Sequence, residues 1–367
     1  MKHLYQIRRS LHKIPEPAFQ EVETTRFVLE NLSKFPELSI HTFDFPGVLA
    51  EFSGGEGSYL LFRADMDALP IAEKTGCEFA SQNPGFMHAC GHDVHMTILL
   101  GLVEYVITRK IAKNILFLFQ PAEEGYGGAE RVISTGVLNR YQIQEVYALH
   151  VHPGYPLGTI ASNPSVMMGI PQEFDIIFKG NSSHAANPQK GIDAIAAACD
   201  FHQTLKQNLP KKLSPQQIYI CHIGKISGGT ARNIVSDSCT LQGTLRALTK
   251  ETMEILKSET AETARAVSAL HKTEPEIRFL NTYDPVVNSP LLYDKLKRNL
   301  PSDLTLEESP ALLLGEDFGF FTTRYQGLMF WVGSGNARVD LHSPHFLPSD
   351  EVIAFGLEVF KALLRAE

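Results

Sequence analysis

The run Asn114-Ile115-Leu116-Phe117-Leu118-Phe119 is apolar from its second residue to the point where Gln120-Pro121-Ala122-Glu123-Glu124 cuts it off. A strand with one wet face alternates apolar and polar side chains. An unbroken run of strand length instead fits a strand covered on both faces, as in a parallel sheet. Tyr59-Leu60-Leu61-Phe62-Arg63-Ala64 and Glu145-Val146-Tyr147-Ala148-Leu149 repeat the pattern, with helical stretches after His95 and from about Ala129 to Ser134. Doubly buried strands alternating with helices predict an α/β sheet with crossover helices. Ahead of them, apolar spacing up to Arg26-Phe27-Val28-Leu29, interrupted by Pro15 and Pro17, predicts two helices around a turn.

The pattern changes near residue 170. Glu173 to Phe178, Ile218 to Ile223 and Cys239 to Arg246 alternate, and helices are expected at Asp193 to Gln207 and Lys250 to Leu270. Strands with one wet face plus two helices make a small α+β domain. Pro285 and Pro290 mark the return, after which Leu312 to Phe321, Leu328 to Gly333 and a helix from Ser349 to Leu364 are expected to resume the first sheet. At 367 residues the chain is too long for one ordinary core. The expected organisation is a discontinuous α/β domain over 1–170 and 285–367, with a mainly parallel sheet flanked by helices, and an inserted domain over 171–284.

A net charge of −8 with no basic run argues against nucleic acid or an anionic membrane surface as partner. The N-terminus lacks the apolar core of a signal peptide and no stretch is long and apolar enough for a membrane span, so a cytoplasmic location is expected. The five cysteines, 77, 90, 199, 221 and 239, contain no CxxC pair and do not suggest a disulfide framework. A small-molecule ligand is the expected partner.

Met87-His88-Ala89-Cys90-Gly91-His92-Asp93-Val94-His95 is the densest group of metal-capable side chains. Thiolate and imidazole suit zinc, manganese, cobalt or nickel better than magnesium or calcium. On a continuous helix Cys90 and His92 would point about 200° apart. Gly91 argues against that, and Asp93 followed by Val94, Ile98, Leu102 and Val106 predicts an N-cap opening an amphipathic helix, with Cys90 and His92 in the loop before it. Asp65 and Asp67, Glu123 and Glu124, His150, and His342 with His345 stand at ends of other inferred strands or in loops. In an open parallel sheet, strand carboxyl ends are where ligands bind. Any one of these stretches alone is weak, since paired glutamates are usually a solvated face; their common placement makes the case.

The motifs RADMDALP (63–70), MHACGHDVH (87–95), FQPAEEGYGGA (119–129), ALHVHP (148–153), SHAANPQKGIDAI (183–195), GGTARNIV (228–235), GTLR (243–246), GEDFG (315–319) and LHSP (341–344) resemble, in order and end to end, the metal-dependent aminoacylase and carboxypeptidase family, in its amidohydrolase branch with hippurate hydrolase. The resemblance implies a hydrolase with two divalent ions (Zn, Mn, Co or Ni) held by Cys90, His92, Glu124, His150 and His342, with Cys90 in the bridging position and Glu123 as general base. Spacing alone does not separate base from ligand between Glu123 and Glu124. Asp67 matches a position that buttresses the metals. Asp65 stands where relatives often carry a histidine, so its part in the active centre is open. The inserted domain is implied to be a lid and dimerisation domain of a homo-oligomer, dimer or tetramer. There His184 would polarise the scissile carbonyl in a neighbouring subunit, and Asn233 and Arg246 would hold the substrate carboxylate. Within the branch, IRRSLHKIPE, GTARNIV and GEDFGFF followed by MFWVG resemble most the members that remove the acetyl group from N-acetyl-L,L-diaminopimelate. Hippurate, another N-acyl amino acid, or a carboxypeptidase substrate are the alternatives.

Overall fold

The computed structural model describes residues 1–335 and 337–366. Chain order begins α1 (Lys2–His12), α2 (Val22–Leu32), β1 (Leu38–Thr42), β2 (Val48–Ser53), β3 (Tyr59–Asp65), α3 (His92–Arg109), β4 (Asn114–Gln120), α4 (Glu123–Tyr126), α5 (Gly128–Ser134), β5 (Ile143–His152), β6 (Thr159–Ser162) and β7 (Val166–Met168). It continues with β8 (Ile170–Lys179), β9 (Ser183–His184), α6 (Ala194–Lys212), β10 (Tyr219–Gly228), β11 (Ile234–Val235), β12 (Ser238–Ala247), α7 (Lys250–His271) and β13 (Glu274–Thr282). Then follow β14 (Val286–Val287), α8 (Pro290–Asn299), β15 (Thr305–Glu308), α9 (Gly319–Thr322), β16 (Gln326–Gly333) and α10 (Glu351–Arg365). Two compact units result: Met1–Met167 with Val286–Ala311 and Asp317–Glu367, and Met168–Pro285 with Leu312–Glu316.

In the first unit the main sheet has the order β1-β2-β4-β3-β5-β16-β6-β15 among the described residues. Its centre is parallel: β3 runs with β4 on one side and β5 on the other, and β5 runs with β16. All of β4 is buried, as its unbroken apolar sequence requires. The α3 helix lies on β3 and β5 with α1 and α10 beside it. Phe62 stacks on Tyr147 at 5.1 Å between ring centres and meets Phe360 edge-on at 5.0 Å. Each such buried side chain contributes roughly 1.5–3 kcal/mol by removal from water. Because β3, β4 and β5 are parallel neighbours, their carboxyl ends deliver Asp65, the Gln120–Glu124 turn and His150 to one edge.

The second unit is an antiparallel sheet of order β10-β12-β8-β13, with α6 and α7 packed on it. On β8, Phe174, Ile176 and Phe178 are buried while Glu173 and Lys179 face outward, the alternation of a sheet with one wet face.

The segment from Leu312 to Phe321 departs from the sequence expectation. It adds no strand to the first sheet; Leu312 makes one bridge to Met168, and α9 follows. Leu312–Glu316 instead belong to the second unit, where the Leu312 carbonyl accepts the Gly169 N–H at 2.8 Å. From Asp317 the chain is back in the first unit, and the buried Asp317 carboxylate accepts hydrogen bonds from Arg63 Nη2 at 2.7 Å, Gln120 Nε2 at 2.8 Å and the Ala129 N–H at 2.8 Å. No helix among the described residues is long and apolar enough to cross a membrane.

Candidate metal centre

The site begins with the turn into α3. Gly91 has φ +86°, and a Cβ there would stand 2.5 Å from Val151 Cγ2, so glycine is required on both counts. Its carbonyl accepts the N–H groups of Val94 and His95, so the helix starts at His92. The expectation of Asp93 as N-cap is therefore corrected, as is the placing of His92 in the preceding loop. Asp93 lies inside the helix, and its buried carboxylate is taken by Arg8 Nε at 3.1 Å and His12 Nδ1 at 2.9 Å. The helix is also buried on most faces instead of being amphipathic. The left-handed turn at Gly91 still lets Cys90 and His92 converge: with His150, their donor atoms lie within 4.8 Å of one another.

The imidazoles divide by what their nitrogens already hold. His92 donates from Nδ1 to the Asp67 carbonyl at 2.9 Å, and its buried Nε2 has no hydrogen-bond partner. His150 donates from Nδ1 to the Val151 carbonyl at 2.7 Å, and its Nε2 stands 3.4 Å from Cys90 Sγ. His342 Nε2 lies 3.3 Å from Cys90 Sγ and 3.4 Å from Glu124 Oε1. His342 is held at φ +63°, a conformation a non-glycine residue keeps only where its surroundings enforce it. His95 is committed on both sides, donating to Asp65 Oδ1 at 2.6 Å and accepting the Val151 N–H at 3.0 Å.

The carboxylates surround this group. Asp65 Oδ2 accepts from Arg63 Nη1 at 2.7 Å and lies 3.8 Å from His92 Nε2. Asp67 Oδ2 accepts the Glu124 N–H at 2.9 Å, while its buried Oδ1 has no hydrogen bond. Glu124 Oε1 is likewise buried without one. Glu123 is buried on the same turn, and a ligand atom of it can join His92 and Glu124 within the same 4.8 Å reach.

Burial and the neighbouring carboxylates set the ionisation of this group. Burial alone would lower the His92 pKa, but Asp65, Asp67 and Glu124 outweigh it and raise it to about 10. Burial, then the Glu124 and Glu123 carboxylates, push the Cys90 thiol well up. Burial and neighbouring His95 hold His150 well below the ordinary imidazole range. Unpartnered buried atoms such as His92 Nε2 and Glu124 Oε1 cost about 1–3 kcal/mol each when nothing meets them. A divalent cation would meet them, and would also turn the thiol into a thiolate. Histidines with Nδ1 held by a carbonyl and Nε2 free are in the tautomer that binds metal. Cys90, His92, Glu124, His150 and His342 thus fit a metal centre.

The remaining sequence candidates lie in the second unit. His184 is exposed on β9, paired with Ile234 of β11, and Asn233 accepts the Ala185 N–H at its carbonyl. Arg246, half-buried on β12, donates to the Leu313 carbonyl at 3.1 Å. Sequence reasoning passed over Glu21, which is fully buried with Oε1 accepting the Ala122 N–H at 2.8 Å. It also assigned no chemistry to Asp317, which anchors Arg63 behind Asp65. Asp317 showed no signal beyond a carboxylate inside GEDFG, and Glu21 lies outside every motif. His12, bonded through Nδ1 to Asp93 and through Nε2 to Glu73 at 3.3 Å, is a buried ion-pair residue.

A family model described as Peptidase family M20/M25/M40 matches residues 61–366. N-acetyldiaminopimelate deacetylase of Exiguobacterium sibiricum is 39% identical, covering 100% of this chain and 99% of the relative. The protein of the same name from Shouchella clausii is 36% identical, again over 100% of this chain and 99% of its own length. Among solved structures, a Bacillus subtilis protein described as a dinuclear metal binding peptidase from the M20 family superposes with a TM-score of 0.86 at 30% identity, covering 99% of this chain and 97% of that one.

Proposed function

The chain belongs to peptidase family M20/M25/M40, and from that premise we propose that it is a metal-dependent amidohydrolase that removes the acetyl group from N-acetyl-L,L-diaminopimelate, releasing acetate and diaminopimelate for lysine biosynthesis. The observation that carries this reading is end-to-end similarity to relatives named for that deacetylation, 39% and 36% identical.

In this reading two divalent cations are held by Cys90, His92, Glu124, His150 and His342. The mixture of sulfur, imidazole and carboxylate donors favours Zn, Mn, Co or Ni over Mg or Ca. When bound, the cations supply positive charge that polarises a carbonyl oxygen and lowers the pKa of a water. Glu123 takes a proton from the attacking water onto a carboxylate oxygen as the water oxygen bonds to the acetyl carbon. It then passes that proton to the amide nitrogen as the C–N bond breaks, and the second proton of the water moves from the new carboxyl group to the amine, so that acetate and the ammonium product leave. Asp67 fixes the His92 tautomer through its carbonyl and holds the Glu124 N–H through its carboxylate; Asp65 holds His95. Arg246 and Asn233 bind the α-carboxylate, for which a forked guanidinium is suited. His184 donates a hydrogen bond to the scissile carbonyl in a neighbouring subunit of a homo-oligomer.

The test is hydrolysis of N-acetyl-L,L-diaminopimelate and hippurate side by side with the metal-loaded protein. The proposal expects acetate release to have the larger kcat/KM; preferred cleavage of hippurate or of a dipeptide would overturn it. In the same assay Arg246→Ala should raise KM with the metal content unchanged.

A further inference from the structure

The turn that carries Glu123 is gripped on both sides by buried carboxylates. On one side Asp67 Oδ2 accepts the Glu124 N–H at 2.9 Å. On the other, Glu21 Oε1 accepts the Ala122 N–H at 2.8 Å, from 101 residues away in sequence. Ala122 has φ +57° and ψ 43°, a left-handed conformation that costs an alanine on the order of 1 kcal/mol and persists only where neighbours impose it. Gly128 closes the same turn: its N–H bonds to the Ala122 carbonyl at 2.9 Å. Thus both backbone polar groups of Ala122 are engaged, and the direction in which the chain leaves for Glu123 is set by Glu21 and Gly128.

Glu21 itself is costly to keep. It is fully buried, its Oε2 has no hydrogen-bond partner, and it stands at the start of α2, where an exposed cap would serve the helix equally well. Burial and the Asp67 charge raise its pKa to about 8, and glutamine keeps its shape and an acceptor oxygen at the same reach.

We propose that Glu21 is a positioning residue for catalysis: by accepting the Ala122 N–H it holds the left-handed turn that aims the Glu123 carboxylate. This rests on the reading of Glu123 as general base. The grip does not touch substrate, so its loss affects turnover before binding.

The experiment compares Glu21→Gln, Glu21→Ala and Glu21→Asp, each loaded with the same divalent metal. Glu21→Gln keeps an acceptor oxygen in place and is expected to turn over at close to the parent rate. Glu21→Ala removes the acceptor and Glu21→Asp withdraws it by one methylene; both are expected to lower kcat about 10- to 100-fold, the scale of a misplaced reacting group, with KM and bound metal unchanged. Amide hydrogen exchange gives a readout independent of activity: the segment around Ala122–Glu124 should exchange faster in the Ala and Asp variants and not in the Gln variant. Parent-like kcat and exchange in Glu21→Ala would overturn the proposal, as would a Glu21→Gln enzyme as slow as Glu21→Ala. If Glu21→Ala does not fold, Glu21→Asp decides by the same two readouts. Glu123→Ala run alongside separates the two claims: full activity there removes the base assignment itself, whereas an inactive Glu123→Ala beside a fully active Glu21→Ala removes only the role of Glu21.

Discussion

Single side chains in this centre differ in what their removal should do, and the hydrogen bonds say how. Glu123→Ala removes a proton carrier and leaves all five proposed donors, so turnover should fall by about 10² to 10⁴ while metal content by elemental analysis stays at the parent level. Cys90→Ala acts the other way. Its sulfur sits within 3.4 Å of both His150 Nε2 and His342 Nε2, so its loss should lower bound metal and, through that, activity. A Cys90→Ala protein with full metal content would show that the thiol is a packing residue. At this scale the sequence was informative where chemistry is rare. A cysteine between histidines, or paired glutamates after an apolar strand, stood out. Glu21 did not, because a glutamate before a helix looks like any solvated cap until its burial and its contact with Ala122 are known. Base and ligand could not be separated between Glu123 and Glu124 by spacing, since the left-handed turn at Ala122 that orients them is a tertiary product.

Helices and strands were legible to the extent that their apolar pattern was. The apolar runs at 59–62 and 115–119 identified doubly buried parallel strands, and the alternating runs after 170 a sheet with one wet face. Boundaries failed where tertiary contacts or glycine conformation decide them: α3 starts at His92 because Gly91 adopts φ +86°, and residues 312–321 add no strand to the first sheet, Leu312–Glu316 going with the second unit and Asp317 into a buried network. Gly91→Ala should therefore be disproportionately damaging, since the new methyl meets Val151 and the positive φ is strained. We expect loss of about 1–3 kcal/mol in denaturant unfolding together with weaker metal binding; a protein as stable as the parent would contradict that. The contact between α1 and α3 gives a pH test. Burial opposes protonation of His12, but Asp93 and Glu73 outweigh it and raise its pKa to about 9 from 6.5. Its contribution, on the order of 3 kcal/mol, is full below about pH 6.5 and is lost as pH rises through 9. Unfolding free energies at pH 6 and pH 9.5 should fall more for the parent than for His12→Gln; parallel curves would remove the ion pair as the cause.

For the molecule as a whole, parallel strands with crossover helices bring their carboxyl ends to one edge, and residues as far apart in the chain as Cys90 and His342 meet there, with Sγ and Nε2 3.3 Å apart. What patterning does not carry is the outer layer, in which Arg63, Asp317 and Gln120 fix Asp65 from behind. That layer depends on contacts between segments distant in sequence. The single tryptophan, Trp331, packs against His150 at 5.5 Å and His152 at 4.9 Å between ring centres. Its fluorescence should therefore respond to chelation and recover on adding back metal. Titrating metal-free protein with a divalent cation while acetate release from N-acetyl-L,L-diaminopimelate is measured decides whether the protein is a two-cation deacetylase. The chelated protein should release none, and activity should rise with bound metal to a plateau at two ions per chain. Acetate release that persists in the metal-free protein, or none at full metal occupancy, would contradict it.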